Sequence, residues 1–261
     1  MDDVRDLIRA CEARIVNAWP AVDTLVMGDW VVRLAGGYSG RANSATPLWP
    51  GAAMDETLLD AIVALYGCAG LPACVRITPL ADPSVATLLA ARGFVLRDQS
   101  LGMIASFGKP GGHRRVTEPD ASVSFDDHAT DSWVRGVSAL QGGDKHNADD
   151  RLMAIVGRIR VAAHFATLTG ADGMPVGFGL CVVERGMAEL GSIIVAPGMR
   201  GRGHGRALVA AMMQRAIEVG ARRAFLQVEG GNTPAIGLYS AFGFEELYRY
   251  RTLILPLRHD G

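Results

Sequence analysis

Apolar residues recur at helical spacing near the start of the chain: Val4, Leu7, Ile8, Cys11 and Ile15 share one face of a helix predicted over 3–18, which Trp19-Pro20 ends. Two β-branched runs predict strands over 24–27 and 30–34, and a glycine-rich loop follows over 36–40. A helix over 55–66, a strand over 74–78, a helix over 82–91 and a long strand over 94–106 complete this half. Asp82 suits an N-cap and Pro83 the first helical position. The stretch GKPGGHRR has no periodicity and reads as a linker. Beyond it the pattern predicts a strand near Val123, helices over 131–140 and 149–159, and strands over 162–168, 176–184 and 188–195. A helix over 203–219, a strand over 224–229, a helix over 233–241 and a strand over 245–254 follow. Antiparallel hairpins ahead of one β-α-β crossover imply a mixed α/β fold, α+β-like, with a mostly antiparallel sheet flanked by helices. A doubly wound parallel sheet does not fit this order.

Sliding the sequence against itself by 150 positions aligns its halves without a gap. Pro47 falls on Pro197, Leu58 on Leu208, Gly70 on Gly220, Leu88 on Leu238, Ala91 on Ala241 and Gly93-Phe94 on Gly243-Phe244. The predicted strands and helices coincide as well, so we expect two tandem domains of one fold, over 1–108 and 116–261, joined by a linker over 109–115. A chain of 261 residues is long for one compact core and ample for two.

Hydrophobic residues make up 49% and charged residues 20%, with a net charge of −1, which is the composition of a globular protein. It lacks the basic excess that nucleic-acid binding normally needs, so no nucleic acid is expected as partner. No apolar run reaches the ~18 residues of a membrane span, so no membrane partner is expected either, and the cytoplasm is the expected compartment. Cys11, Cys68, Cys74 and Cys181 have no C-x-x-C spacing, and the histidines are scattered. Buried free thiols are expected, and no metal site.

The candidate chemistry sits in ELGSIIVAPGMRGRGHGRAL, residues 189–208, where a buried strand runs into a glycine- and arginine-rich turn and then a helix. Pro197 ends the strand, and Gly201, Gly203 and Gly205 leave alternate residues without side chains. Such a turn is either an ordinary surface turn or an anion site whose amides and helix dipole favour a pyrophosphate, with Arg200, Arg202 and Arg206 beside it. A dinucleotide fingerprint fits poorly. Leu208 stands where that motif wants a small residue, and Pro197 to Met199 intervene between strand and turn.

Residues 195–205, VAPGMRGRGHG, resemble the phosphate-binding signature V-x-P-x-x-R-G-x-G-x-G of the GCN5-related N-acetyltransferase (GNAT) family. A second stretch, NTPAIGLYSAFGF over 232–244, is similar to the family's N-x-x-A-x-x-L-Y-x-x-x-G-F. The resemblance covers 123–254, and the first half looks like a degenerate copy, as in tandem acetyltransferases. It implies two GNAT-type domains in which the strands ending at Val195 and Glu229 splay apart to admit pantetheine. Backbone groups of Ile193 and Val195 would pair with pantetheine, and the turn of Arg200, Gly201, Arg202, Gly203, His204, Gly205 and Arg206 would hold the pyrophosphate of acetyl-CoA. Asn232 is implied as a pantetheine contact and Tyr239 as the acid that protonates the departing thiolate. A tyrosine on an apolar helix face is otherwise a core aromatic. Glu189 lies six residues before Val195, where some family members place a general base; its other reading is a solvated strand-end glutamate, and Glu229 is the runner-up base. The implied reaction is acetyl transfer by direct attack of an amine, expected to belong to a small molecule. The rival is a non-catalytic acyl-CoA-binding or interaction module on the same fold.

The first copy differs where chemistry belongs. Opposite Arg200, Gly203 and Gly205 stand Pro50, Ala53 and Asp55, so this half should have the fold without the anion site. By the same offset Arg41 to Ala45 occupies the strand position of Gly191 to Val195. Arg41, Asn43 and Ser44 are polar for a buried strand, and two readings stand: they contact the acceptor, or they satisfy an irregular loop.

Overall fold

The computed structural model describes residues 2–107, 122–142 and 146–257; the linker expected over 109–115 lies outside the described residues. The first part of the chain forms α1 (Asp2–Ala18), β1 (Asp23–Met27), β2 (Trp30–Leu34), β3 (Ala45–Pro47), α2 (Glu56–Cys68), β4 (Ala73–Ile77), α3 (Ser84–Ala91) and β5 (Val95–Ser106). The remainder forms β6 (Ser122–Asp126), α4 (Asp131–Leu140), α5 (Ala148–Val156), β7 (Ala162–Thr169), β8 (Pro175–Glu184), β9 (Met187–Val195), α6 (His204–Glu218), β10 (Arg223–Glu229), α7 (Thr233–Ser240) and β11 (Glu245–Leu255). Among the described residues, no helix is long and apolar enough to cross a membrane.

These elements make two compact units, one of Met1–Gly102, Glu229–Gly231 and Glu246–Gly261, the other of Met103–Val228 and Asn232–Glu245. The units are not consecutive halves. β11 is the last described element, yet it pairs antiparallel with β4 of the first unit, from Arg251 opposite Ile77 to Leu255 opposite Ala73. Local periodicity finds such a strand without revealing its partner, because the pairing is set by distant sequence.

In the first unit α2 and α3 place Leu59, Ile62, Tyr66, Val85 and Leu89 against Trp30, Val32, Val75 and Leu253. Every residue of β2 is buried, as a strand covered on both faces requires. α1 buries Ile8, Cys11 and Ile15, the stripe its spacing predicts. That stripe also carries Glu12, which forms a buried ion pair with Arg76 at 3.1 Å and accepts a hydrogen bond from the Tyr248 hydroxyl. The Arg76 guanidinium lies 4.3 Å from the centre of the Tyr250 ring. Removing either charge of such a pair strands the other out of water, which costs several kcal/mol.

The second unit is a sheet in which β9 pairs parallel with β10 and antiparallel with β8, and β8, β7 and β6 continue antiparallel. Phe178 and Gly179 are neighbours on β8 and therefore face opposite sides. On one side α4 brings Trp133 edge-on to Phe165 and Phe178, with ring centroids 5.0 and 6.4 Å apart. Here Gly136 is a packing necessity, since a Cβ would sit 2.1 Å from the Phe178 ring. On the other side α6 covers Gly179 with Leu208 and Met212. α5 stops at Val156, short of the predicted 159, where the chain tightens to i→i−3 bonds from Arg158 N–H to the Ile155 carbonyl at 3.0 Å and from Ile159 N–H to the Val156 carbonyl at 3.2 Å.

The repeat is present in backbone detail. Phe94 N–H donates to the Leu89 carbonyl at 3.0 Å, and Phe244 N–H to the Tyr239 carbonyl at 3.1 Å. Leu71 N–H donates to Tyr66 and Ala221 N–H to Ala216, both at 2.9 Å. The glycines that let these helices end take left-handed φ at the same offset: 79° at Gly93 and 82° at Gly243.

Candidate active site

The site grows from the relation between β9 and β10. Their register pairs Met187 with Arg223, Ala188 with Ala224 and Glu189 with Phe225, and there the pairing stops. β8 accompanies β9 as far as Val195, opposite Gly177, but Leu180 faces Gly191 while Phe178 faces Ile194. Ser192 and Ile193 therefore oppose Gly179 alone. This is a β-bulge, and its residue Ser192 takes a positive φ of 51°. A bulge bends its strand, and from Leu190 onward β9 has no strand partner on its β10 side among the described residues. Its free N–H and C=O groups could pair with an extended ligand as if it were another strand.

At the C-terminal mouth of this opening lies the turn. Pro197–Met199 make one turn of 3₁₀ helix, then Gly201 (φ 73°) and Gly203 (φ 88°) reverse the chain into α6. Gly203 is the N-cap and supplies no side chain to satisfy the helix start. The first bond inside α6 runs from Ala207 N–H to the Gly203 carbonyl at 3.0 Å, leaving the N–H groups of His204, Gly205 and Arg206 without an intrahelical acceptor. Unpaired amides at the positive end of a fifteen-residue helix favour an anion. The Arg200 Nε donates to the Val195 carbonyl at 3.1 Å, so Arg200 ties turn to strand and occupies that carbonyl. Arg206 lies over the Phe242 ring at 5.2 Å, and Arg202 is exposed. His204 Nδ1 is buried and has no partner among the described residues. A Cβ at Gly205 would stand 3.4 Å from Leu238 of α7, an ordinary contact, so packing against α7 does not by itself require glycine there.

α7 supplies the tyrosine. Asn232 caps it by accepting from Ala235 N–H at 3.2 Å, a structural duty beyond the pantetheine contact expected from sequence. Tyr239 follows two turns later, buried, with its ring 6.1 Å from Phe244 and steeply inclined to it. Glu189 is only 3% exposed, so the solvated strand-end reading is excluded by burial. Its carboxylate oxygens lie 3.0 and 3.1 Å from where a Cβ on Gly191 would be. Cys181, on β8, is pushed up to about 12, chiefly by burial and secondarily by the negative charge of Glu189. Glu229 is exposed at the end of β10. Sequence reasoning missed the bulge residue Ser192 and the crowded Gly191. The signal for the latter was the spacing Glu-Leu-Gly, which puts a missing side chain on the same strand face as the carboxylate.

The first unit closes the equivalent opening. Its parallel strands meet with Ala45 opposite Val75, beside the turn, whereas the equivalent Phe225 meets Glu189, six residues before Val195. Gly51 and Ala52 N–H groups both donate to the Leu80 carbonyl, at 2.8 and 3.0 Å, and Asp82 N–H returns a bond to the Ala52 carbonyl. Asp55 then caps α2 by accepting from Leu58 N–H at 2.8 Å. The amides of Gly51 and Ala52, equivalent to those of Gly201 and Arg202, are already spent.

The polar stretch 41–44 is loop and not the strand its offset predicts; β3 begins only at Ala45. Asn43 accepts from the N–H groups of Ala35 (2.7 Å) and Gly37 (3.0 Å) and donates to the Ser39 carbonyl (2.8 Å), stapling its own loop. Ser44 is fully buried, 3.4 Å from the Thr46 hydroxyl. Arg41 lies over the Trp19 ring at 5.4 Å, and its carbonyl accepts from Arg33. Local structure thus accounts for the polarity of Asn43 and Ser44.

Comparison with known proteins agrees with this architecture. The family described as "Probable histone acetyltransferase Rv0428c C-terminal" matches residues 6–253. The uncharacterized N-acetyltransferase YobR of Bacillus subtilis is 26% identical, over 96% of this chain and 99% of its own. A GCN5-related N-acetyltransferase from Kribbella flavida superposes with a TM-score of 0.69 at 18% identity, covering 97% of this chain and 96% of that one. A tandem GNAT protein from the clavulanic acid biosynthesis pathway gives 0.63 at 17% identity, covering 77% and 70%. With a family match over nearly its whole length, the chain belongs to the Rv0428c C-terminal family, and it has the fold of the GCN5-related N-acetyltransferases, one of its structural neighbours being a tandem protein.

Proposed function

We propose that the second unit transfers the acetyl group of acetyl-CoA to the primary amine of a small molecule. The observation that carries this reading is the parting of β9 from β10 after Glu189 and Phe225, with uncapped amides of α6 at the mouth of the gap. An extended pantetheine pairs with the free edge of β9 at Ile193 and Val195, where the Val195 N–H is the group left to it by Arg200. Pyrophosphate rests on the turn from Gly201 to Arg206, with Arg202 free to reach it.

The reaction then needs two proton transfers. The amine nitrogen attacks the thioester carbonyl carbon, the C–S bond breaks, and the amine proton goes to the Glu189 carboxylate directly or through one water. The thiolate takes its proton from the Tyr239 hydroxyl. Both groups are buried, which strengthens their electrostatic interaction with charges developing in the gap.

The test is thiol release from acetyl-CoA across a panel of amines. Turnover with a small amine supports the reading. Tight CoA binding without turnover on any amine would instead favour a non-catalytic acyl-CoA-binding module.

A further inference from the structure

The turn joining β8 to β9 forms one wall of a second basic site. Arg185 and Gly186 are its two central residues, both left-handed (φ 48° and 73°), between the paired Glu184 and Met187. A two-residue hairpin of this kind favours asparagine and glycine, so an arginine here is held against its backbone preference. Nearby, Arg222 N–H donates to the Gly186 carbonyl at 2.7 Å, and its own carbonyl accepts from Phe107 N–H at 2.9 Å. The hairpin tip and the start of β10 are thereby fixed to each other. Around them opens a cavity of about 480 Å³ lined by Arg185, Gly186, Met187, Gly220, Arg222 and Arg223.

Charge in this cavity is unbalanced. Arg185 is bound by Glu184 at 2.9 Å, while Arg222 and Arg223 have no ion-pair partner among the described residues. Three exposed arginines thus line one space, and among the described residues Arg185 alone of them has an ion-pair partner. A phosphate monoester near neutral pH carries close to two negative charges and three acceptor oxygens, and planar guanidinium groups match it in pairs. β9 separates this cavity from the glycine turn by its nine residues, roughly 26 Å of extended strand, so one CoA phosphate group cannot serve both.

We propose that Arg185, Arg222 and Arg223 form a second anion site, distinct from the acyl-donor site, for the phosphate monoester of a small metabolite. Calorimetry with CoA saturating its own site tests it, with inorganic phosphate and glycerol 3-phosphate as probes. The wild type should bind one phosphate per chain. Arg222→Ala combined with Arg223→Ala should weaken that binding roughly tenfold or more and leave CoA affinity unchanged, because charged hydrogen bonds are removed at an exposed site. Arg185→Asn separates binding from folding: asparagine suits the turn, so thermal stability should hold or rise while phosphate binding weakens. Absence of a phosphate isotherm in the wild type, or equal binding by the variants, overturns the proposal. Tighter binding of glycerol 3-phosphate than of inorganic phosphate supports a metabolite as the source, and weaker binding of the ester overturns that assignment.

Discussion

Two helix starts, α2 and α6, occupy equivalent places in the repeat, and each follows a turn with a left-handed glycine, Gly51 (φ 82°) or Gly201 (φ 73°). Before α2 the amides of Gly51 and Ala52 are bound to the Leu80 carbonyl, and Asp55 caps the helix with its own carboxylate. Before α6 no side chain caps the helix, and the flanking strands have already parted. Conformation is shared; what differs is whether the polar groups are spent. A turn becomes a binding site when folding leaves its donors unsatisfied and within reach of solvent, and a structural joint when the chain satisfies them itself.

The strongest way to break this comparison is to spend the donors of α6. Gly203→Asp places a Cβ where φ is 88° and a carboxylate at the proposed pyrophosphate site. CoA affinity should fall by ~100-fold or more, since strain and repulsion add. Calorimetry should find one CoA per wild-type chain and none on the variant. Two sites in the wild type would mean that the closed turn before α2 binds after all.

Tyr239 and its counterpart Leu89 sharpen the comparison next, because both are buried on equivalent helices and only one carries a hydroxyl. Tyr239→Phe should lower kcat about 10²-fold with little change in acetyl-CoA KM, as expected for an acid that acts only while the thiolate leaves. The ring stays in place against Phe244. Unchanged kcat would leave Tyr239 with the same packing duty as Leu89.

Asn43 tests the opposite assignment. Removing its side chain in Asn43→Ala strands the buried N–H of Ala35 and frees that of Gly37, for an expected cost of about 1–3 kcal/mol in stability. Denaturant unfolding measures that loss, while kinetics in both substrates should stay normal. A raised acceptor KM at full stability would return Asn43 to the substrate.

How far all this could be read from sequence depends on the range of the interaction concerned. The glycines of both turns, the Gly-Phe pairs and the cap at Asp82 act over a few residues, and their pattern is legible in the chain itself. Asp82 does accept from Ser84 N–H at 2.9 Å, although α3 begins one residue later than predicted, with Pro83 at the cap position. The strand β11 is legible as a strand, but its partner β4 is not, because nothing local records register with a distant segment. The bulge at Ser192 is equally silent, since it exists only relative to Gly179 on β8. Polarity at Asn43 and Ser44 is visible in the sequence, yet its destination is not. A buried amide looks the same on paper whether it meets a ligand or its own loop.

The smallest expected effect concerns Asp55, and it asks whether the first copy is one substitution from a working anion site. Asp55→Ala removes the carboxylate that accepts from Leu58 N–H, and loss of such a cap costs about 1 kcal/mol. Asp55 is exposed, so the helix start would be rehydrated and the fold kept. Repulsion of an incoming phosphate would disappear as well. Even so, the variant should gain no second CoA site, because Gly51 and Ala52 still donate to Leu80 and Ala45 still meets Val75 at the mouth. Binding there would require opening those backbone bonds and parting the strands, which no single side chain controls. Calorimetry on the variant should therefore still give one CoA per chain with a small loss of stability. A second site appearing on removal of this carboxylate would show that charge alone, and not the closed backbone, separates the two copies.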